Sequence, residues 1–144
     1  MLRTPRQLQE KLVLFWHDHF ATGYSKVQDV TRMALQYKTI RLNSKGDMRV
    51  LVNAMNKDAA MIEWLDTQRN HKQVPNENYA RELKQLFSIG IYRMWDDGRF
   101  VLASDAGLVP TYSQPNIIGL ANLLTGWNYA QPNQGNGRAP TSFG

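Results

Sequence analysis

Apolar residues recur along most of this chain at intervals of three and four, the period of a helix with one buried face. Leu8, Leu12, Phe15, Trp16 and His19 predict a first helix; Thr4 can cap it, Pro5 suits its first position, Gln7 completes a capping box, and Gly23 stands where it would end. Ser25 and Gln28 repeat the capping pattern ahead of a second helix, with Val27, Val30, Ala34 and Tyr37 as its stripe. Ser44 and Asp47 open a third helix carrying Met48, Leu51, Val52 and Met55, with Gly46 in its first turn. Asp58 can cap a short fourth helix with Met61, Ile62 and Leu65, after which Gln68 to Val74 reads as a loop ahead of Pro75. Asn76 caps a fifth, with Tyr79, Ala80, Leu83, Leu86 and Phe87 inward and Gly90 at its end.

The period then changes. Tyr92 to Trp95, an Asp96-Asp97-Gly98 turn and Arg99 to Leu102 predict a β-hairpin. A last helix follows over about Gln114 to Thr125, capped by Ser113 with Pro115 near its start and carrying Ile117, Ile118, Leu120, Leu123 and Leu124. The expected fold is mainly α: about six helices packed as an orthogonal or irregular bundle, with a small hairpin flap near residues 92–102. Residues 1–128 are expected to form one helical domain with the hairpin inserted over 91–112, and 129–144, rich in Asn, Gly, Pro and Gln, a loop or tail.

Composition narrows the chemistry. The 144 residues are 42% hydrophobic and 20% charged, which excludes a disordered or collagen-like chain, and no stretch approaches the roughly 18 apolar residues of a membrane span. The first residues lack the apolar core of a signal peptide. There is no cysteine, so disulfides, zinc-thiolate sites and cysteine nucleophiles are excluded and any site must use oxygen and imidazole. The net charge of +5 suggests an anionic partner, but the basic residues are spread with no run of five, which argues against nucleic acid. Phosphate-loop, Gly-x-Ser-x-Gly and His-Glu-x-x-His signatures are absent.

Two segments crowd polar groups. In Trp16-His17-Asp18-His19-Phe20 the histidines are two apart, so on a helix they point about 160° from one another and cannot chelate one ion together. His19 shares the face of Leu12, Phe15 and Trp16 and is the expected inward histidine; the plain alternative is a core histidine satisfied by hydrogen bonds. In Pro75-Asn76-Glu77-Asn78-Tyr79-Ala80-Arg81-Glu82-Leu83, Glu77 faces Arg81 and Asn78 faces Glu82, whereas Glu77 and Glu82 diverge by about 140° and are not a paired-carboxylate site by themselves. A glycosidase-like or metal site needs a second group from another helix, for which His17, Asp18 and His19 are the candidates. The plain alternative is a cap plus an ion pair. Among the tryptophans, Trp95 on the hairpin is the best candidate for an exposed platform.

Three segments together carry a resemblance: Pro5 to Phe20, Pro75 to Leu83 continuing through Leu86-Phe87-Ser88-Ile89-Gly90, and Thr125-Gly126-Trp127. In order and spacing the chain resembles the bacterial family called domain of unknown function 1800. The resemblance implies a mostly helical protein, usually several hundred residues long, often exported and often encoded beside a sulfatase-like partner, with no assigned activity. By that standard the chain is expected to be a central fragment, with apolar surface exposed that can drive self-association.

The leading expectation is a hydrolase, glycosidase-like or metal-assisted, acting on an extracellular polymer such as polysaccharide or on a small molecule. His19 or His17 would be base or ligand, and Glu82 or Glu77 acid, base or ligand. Arg81, Asn76, Asn78, Trp95 and Trp127 would bind substrate, and a divalent metal on His19 and Glu82 is the one cofactor considered. The alternative is a non-catalytic binding or scaffold domain whose His, Glu, Arg and Asn residues form a structural polar network.

Overall fold

The computed structural model describes residues 4–103 and 107–129. The expected tail over 129–144 lies, from residue 130 on, outside the described residues. The architecture is mainly α, with seven helices among the described residues: α1 Gln7–Phe20, α2 Tyr24–Val27, α3 Val30–Asn43, α4 Met48–Asn56, α5 Ala59–Trp64, α6 Asn78–Gln85 and α7 Gln114–Leu123. A 3-10 turn, Thr67–Arg69, follows α5. None of these helices is long and apolar enough to cross a membrane.

Carboxylates set several helix starts. Asp29 accepts from the Arg32 amide at 3.0 Å, Asp47 from that of Arg49 at 2.6 Å and Asp58 from that of Met61 at 2.9 Å. Each satisfies an amide that the first turn leaves without a partner. Asp29 also explains why the single second helix of the sequence reading is two. Gln28 turns the chain with φ 50°, ending α2, and Asp29 caps a new helix two residues later. At Gly23, which starts α2 rather than ending α1, a Cβ would meet the Trp64 ring at 3.2 Å. α1 ends instead at Ala21, in the left-handed region with φ 50°, and begins at Arg6, with Thr4 accepting from the Arg6 amide at 3.3 Å.

The main core joins Val13 and Phe20 of α1, Ile40 of α3, Leu51 and Met55 of α4, Met61 and Leu65 around α5, and Tyr79 and Phe87 around α6. A smaller core of Ala80, Ile117 and Ala121 lies between α6 and α7. Helix α6 therefore belongs to both, with Tyr79 facing one and its neighbour Ala80 the other. The Tyr79 hydroxyl donates to Asn56 Oδ1, and burial pushes its pKa up.

Two buried faces differ from the apolar stripes. On α1 the buried residues are Glu10, Val13 and Phe20, while Leu8 and Phe15 are exposed. On α3 they are Gln36 and Ile40, while Val30 and Tyr37 are exposed. In both cases a polar side chain is buried because another helix supplies its partner. Glu10 accepts from Arg41 and, at 3.0 Å, from the Tyr37 hydroxyl. Gln36 Nε2 donates to Asp58 Oδ1 at 2.8 Å and to Thr22 Oγ1 at 3.1 Å.

The hairpin forms where expected, with more in it. Trp95 and Arg99 flank the turn: the Trp95 amide donates to the Arg99 carbonyl at 2.8 Å, and Gly98 sits at φ 84°. Residues 107–110 add a third segment. β1 Leu102–Ala103 pairs antiparallel with β2 Gly107–Leu108, Leu102 opposite Leu108 and Ala103 opposite Gly107. The three segments close on themselves: Arg93 N–H donates to Val109 at 2.8 Å, Val109 to Val101 at 3.1 Å and Val101 to Arg93 at 2.9 Å.

The two buried carboxyls titrate in opposite senses. The Arg41 guanidinium beside Glu10 holds its pKa below the ordinary 4.5, so its stabilisation is present above that pH and is lost on acidification. Burial raises Asp58 above 3.8, so the folded state favours the protonated acid and this group opposes folding increasingly as pH rises through the window above 3.8. Urea midpoints between pH 3 and 7 should show the deficit of Glu10→Gln shrinking as pH falls below about 4.5. Asp58→Asn, which keeps Oδ1 for Met61 and Gln36, should gain on the parent chain as pH rises.

Candidate functional site

The start of α6 holds the densest group of predicted site residues, and the main chain explains most of their contacts. Asn76, expected as the cap, stands one residue before it: its Oδ1 accepts from the Asn78 amide at 2.9 Å in an Asx turn, and the capping position is Glu77, which makes no side-chain cap bond. Asn78 Nδ2 donates to the Leu65 carbonyl at 3.2 Å, and Asn76 Nδ2 lies 3.5 Å from that of Asp66. Behind them lies Asn70, only 2% exposed and not among the predicted site residues. Its Oδ1 accepts from the Asn76 amide at 2.8 Å and its Nδ2 donates to Ala121 of α7 at 2.7 Å. Its carbonyl accepts from Gly126 at 3.1 Å. The Asn70 side chain could not have been found from periodicity, because its two partners are 6 and 51 residues away.

Glu77 and Arg81 are together, as their spacing predicts, with Gln114 of α7 as a third partner. Arg81 Nη2 donates to Glu77 Oε2 at 2.8 Å and to Gln114 Oε1 at 3.1 Å, and Gln114 Nε2 donates to Glu77 at 2.8 Å. The three side chains satisfy one another in a closed triangle. Half-exposed, the Glu77–Arg81 pair contributes about 0.3–0.5 kcal/mol to stability. Glu82 is half-buried; its carbonyl accepts from Leu86 and Phe87 at 2.9 and 3.0 Å.

The histidines of α1 have aromatic company. The His19 ring meets Phe20 at 5.1 Å, Trp16 at 5.5 Å, Phe87 at 6.0 Å and Phe15 at 6.3 Å between centroids. Burial lowers its pKa, which keeps the imidazole neutral at pH 7, and its Nε2 is buried without a hydrogen-bond partner. His17 Nδ1 is likewise buried and unpartnered. His19 and Phe20 of α1 thus meet the ring of Phe87, two residues beyond the end of α6. No ion pair joins either imidazole to Glu77, Glu82 or another carboxylate among the described residues. Nor do three His, Asp or Glu side chains converge there as a metal-binding set.

Two candidates remain, Trp127 and Trp95. Trp127 is half-buried in a segment held at both sides: Gly126 donates to Asn70, and the Tyr129 hydroxyl donates to Glu63. Arg32 Cζ stands 3.8 Å from the centre of the Tyr129 ring. Trp95 is 60% exposed at the hairpin, lining an open groove of about 470 Å³ with Ile89, Tyr92, Arg93, Met94, Val101 and Thr111.

Asn70→Ala leaves the Asn76 amide without its partner, at a cost of about 1–3 kcal/mol, and the Ala121 carbonyl with the Leu124 amide alone. Denaturant unfolding checks this, and Asn78→Ala, whose side chain is more exposed, should cost less.

No curated protein and no solved structure matches the chain. A family model does match, over residues 1–143, under the description "Protein of unknown function (DUF1800)". It spans the α1 histidines, the asparagine-rich start of α6 and the Gly126-Trp127 segment, and on that match the chain belongs to the DUF1800 family.

Proposed function

We propose that this chain is a non-catalytic binding domain, in which the helical body positions the hairpin and the groove beside Trp95 meets an extracellular polymer such as a polysaccharide. The observation that carries this reading is a contrast. At the start of α6 the side chains of Asn76, Asn78, Glu77 and Arg81 are engaged with main-chain groups or with one another and Gln114, whereas the hairpin leaves Trp95, Met94 and Tyr92 exposed around one groove. A flat aromatic face with a nearby apolar wall suits the apolar face of a sugar ring. Trp95→Ala should weaken binding to the preferred polymer by about tenfold, the equivalent of about 1.4 kcal/mol, in affinity electrophoresis against a polysaccharide panel. Unchanged binding across the panel overturns the reading.

One observation favours the hydrolase reading. His19 is neutral at pH 7 with a buried nitrogen unpartnered, which is the protonation state a general base needs. On that reading Glu82 would be its acid or co-ligand. Replacing His19 by Ala and Glu82 by Gln should then each abolish polymer hydrolysis. Turnover that survives in both, with the helical circular dichroism intact, removes the assignment.

A further inference from the structure

The groove beside Trp95 carries a charge as well as an aromatic face. Its lining includes Arg93, an exposed residue with no carboxylate within 4 Å among the described residues. The neighbouring arginine differs. Arg99 Nε donates to Asp97 Oδ2 at 2.7 Å, and that pair is neutral as a unit. Asp96 stands at the turn, outside the groove lining. Arg93 and Val101 are the groove residues whose backbones close the three-segment ring, each both giving and taking a hydrogen bond in it, so the Arg93 Cα is fixed relative to Trp95 two positions on. A guanidinium presents a planar fork of donors that matches a carboxylate. An unpaired fork beside an exposed indole is complementary to a ring with one apolar face and a carboxylate at its edge. A neutral sugar would leave that charge unanswered, and the chain's net charge of +5 favours a polyanion at longer range.

From this geometry we infer that the groove selects an acidic polysaccharide, one built of uronate residues, with Trp95 stacking on the sugar ring and Arg93 holding its carboxylate. The inference rests on the binding reading given above. It makes Arg93 the residue that determines specificity and Trp95 the residue that determines affinity for sugar in general.

The test is titration calorimetry of the whole chain with polygalacturonate, dextran, dextran sulfate and oligothymidylate at 0.15 M salt. The parent chain should bind polygalacturonate more tightly than dextran. Arg93→Gln should lower polygalacturonate affinity about fivefold, the equivalent of roughly 1 kcal/mol for an exposed ion pair, and so narrow the preference for polygalacturonate over dextran. Trp95→Ala should weaken both. Three outcomes overturn the inference: a preference for polygalacturonate that survives Arg93→Gln undiminished, tighter binding of dextran sulfate, which marks a general polyanion attraction, or tighter binding of oligothymidylate. If instead Trp95→Ala leaves every affinity unchanged, the groove is not a sugar face and the underlying binding reading fails with it. Both variants alter exposed side chains, so their circular dichroism should match that of the parent chain.

Discussion

The buried side-chain amide of Asn70 connects parts of the chain that share little apolar contact. It receives a hydrogen bond from Asn76, two residues before α6, gives one to the last full turn of α7, and lies in a residue whose carbonyl takes a third from Gly126. A carboxamide is the smallest side chain that can donate and accept in this way. Aspartate has no donor when ionised, and a serine hydroxyl has one atom for both tasks. In the low dielectric of a buried position each unmade bond costs about 1–3 kcal/mol, which is large against a typical net stability of 5–15 kcal/mol. The core between α6 and α7 is small, with Ala80, Ile117 and Ala121 at its centre. Polar bonds therefore fix an alignment that apolar packing alone defines weakly.

That alignment governs the hairpin, because the hairpin leaves the helical body after α6 and returns just before α7. The Thr111 amide donates to the Ile91 carbonyl at 2.9 Å, joining the exit and return strands at the base. Two-stranded hairpins are marginal in water, and these strands are only two residues long. The closed ring through Arg93, Val101 and Val109 supplies the missing order by giving each segment two neighbours instead of one. Trp95 and Arg93 are thus displayed from a frame tied to the body at one end and to itself at the other.

What the sequence made legible follows the range of the interactions involved. Asp58 and Ser113 start helices at the expected places, since a cap depends on residues within one turn, whereas Ser44, expected to open the third helix, ends α3 and Asp47 caps α4. The Asp97-Gly98 turn is equally local. Gln36 and Glu10 were not legible as core residues, because their burial depends on Asp58, Thr22, Arg41 and Tyr37 across 14 to 31 residues of sequence. One signal was available: Glu10 shares a helix face with Val13 and Phe20, and a polar residue in such a stripe requires a partner. Residues 107–110 gave no strand pattern, since Gly107 and Pro110 are poor strand formers and the pairing comes from closure.

The crowding of polar side chains at α6 shows why density of functional-looking residues is an ambiguous sign. A helix start leaves amides without partners, and the chain after α5 leaves the Leu65 carbonyl to the Asn78 side chain. Asparagine answers both needs, so a main chain with many unsatisfied groups collects asparagines whether or not a substrate binds there. The same logic runs in reverse at the hairpin. Arg93, Trp95, Val101 and Val109 bond through their backbones within the hairpin, and the side chains of Trp95, Met94 and Arg93 stay exposed although burying two of them would be favourable. An apolar surface left exposed by a segment ordered through its own backbone is the stronger indication of something to be bound.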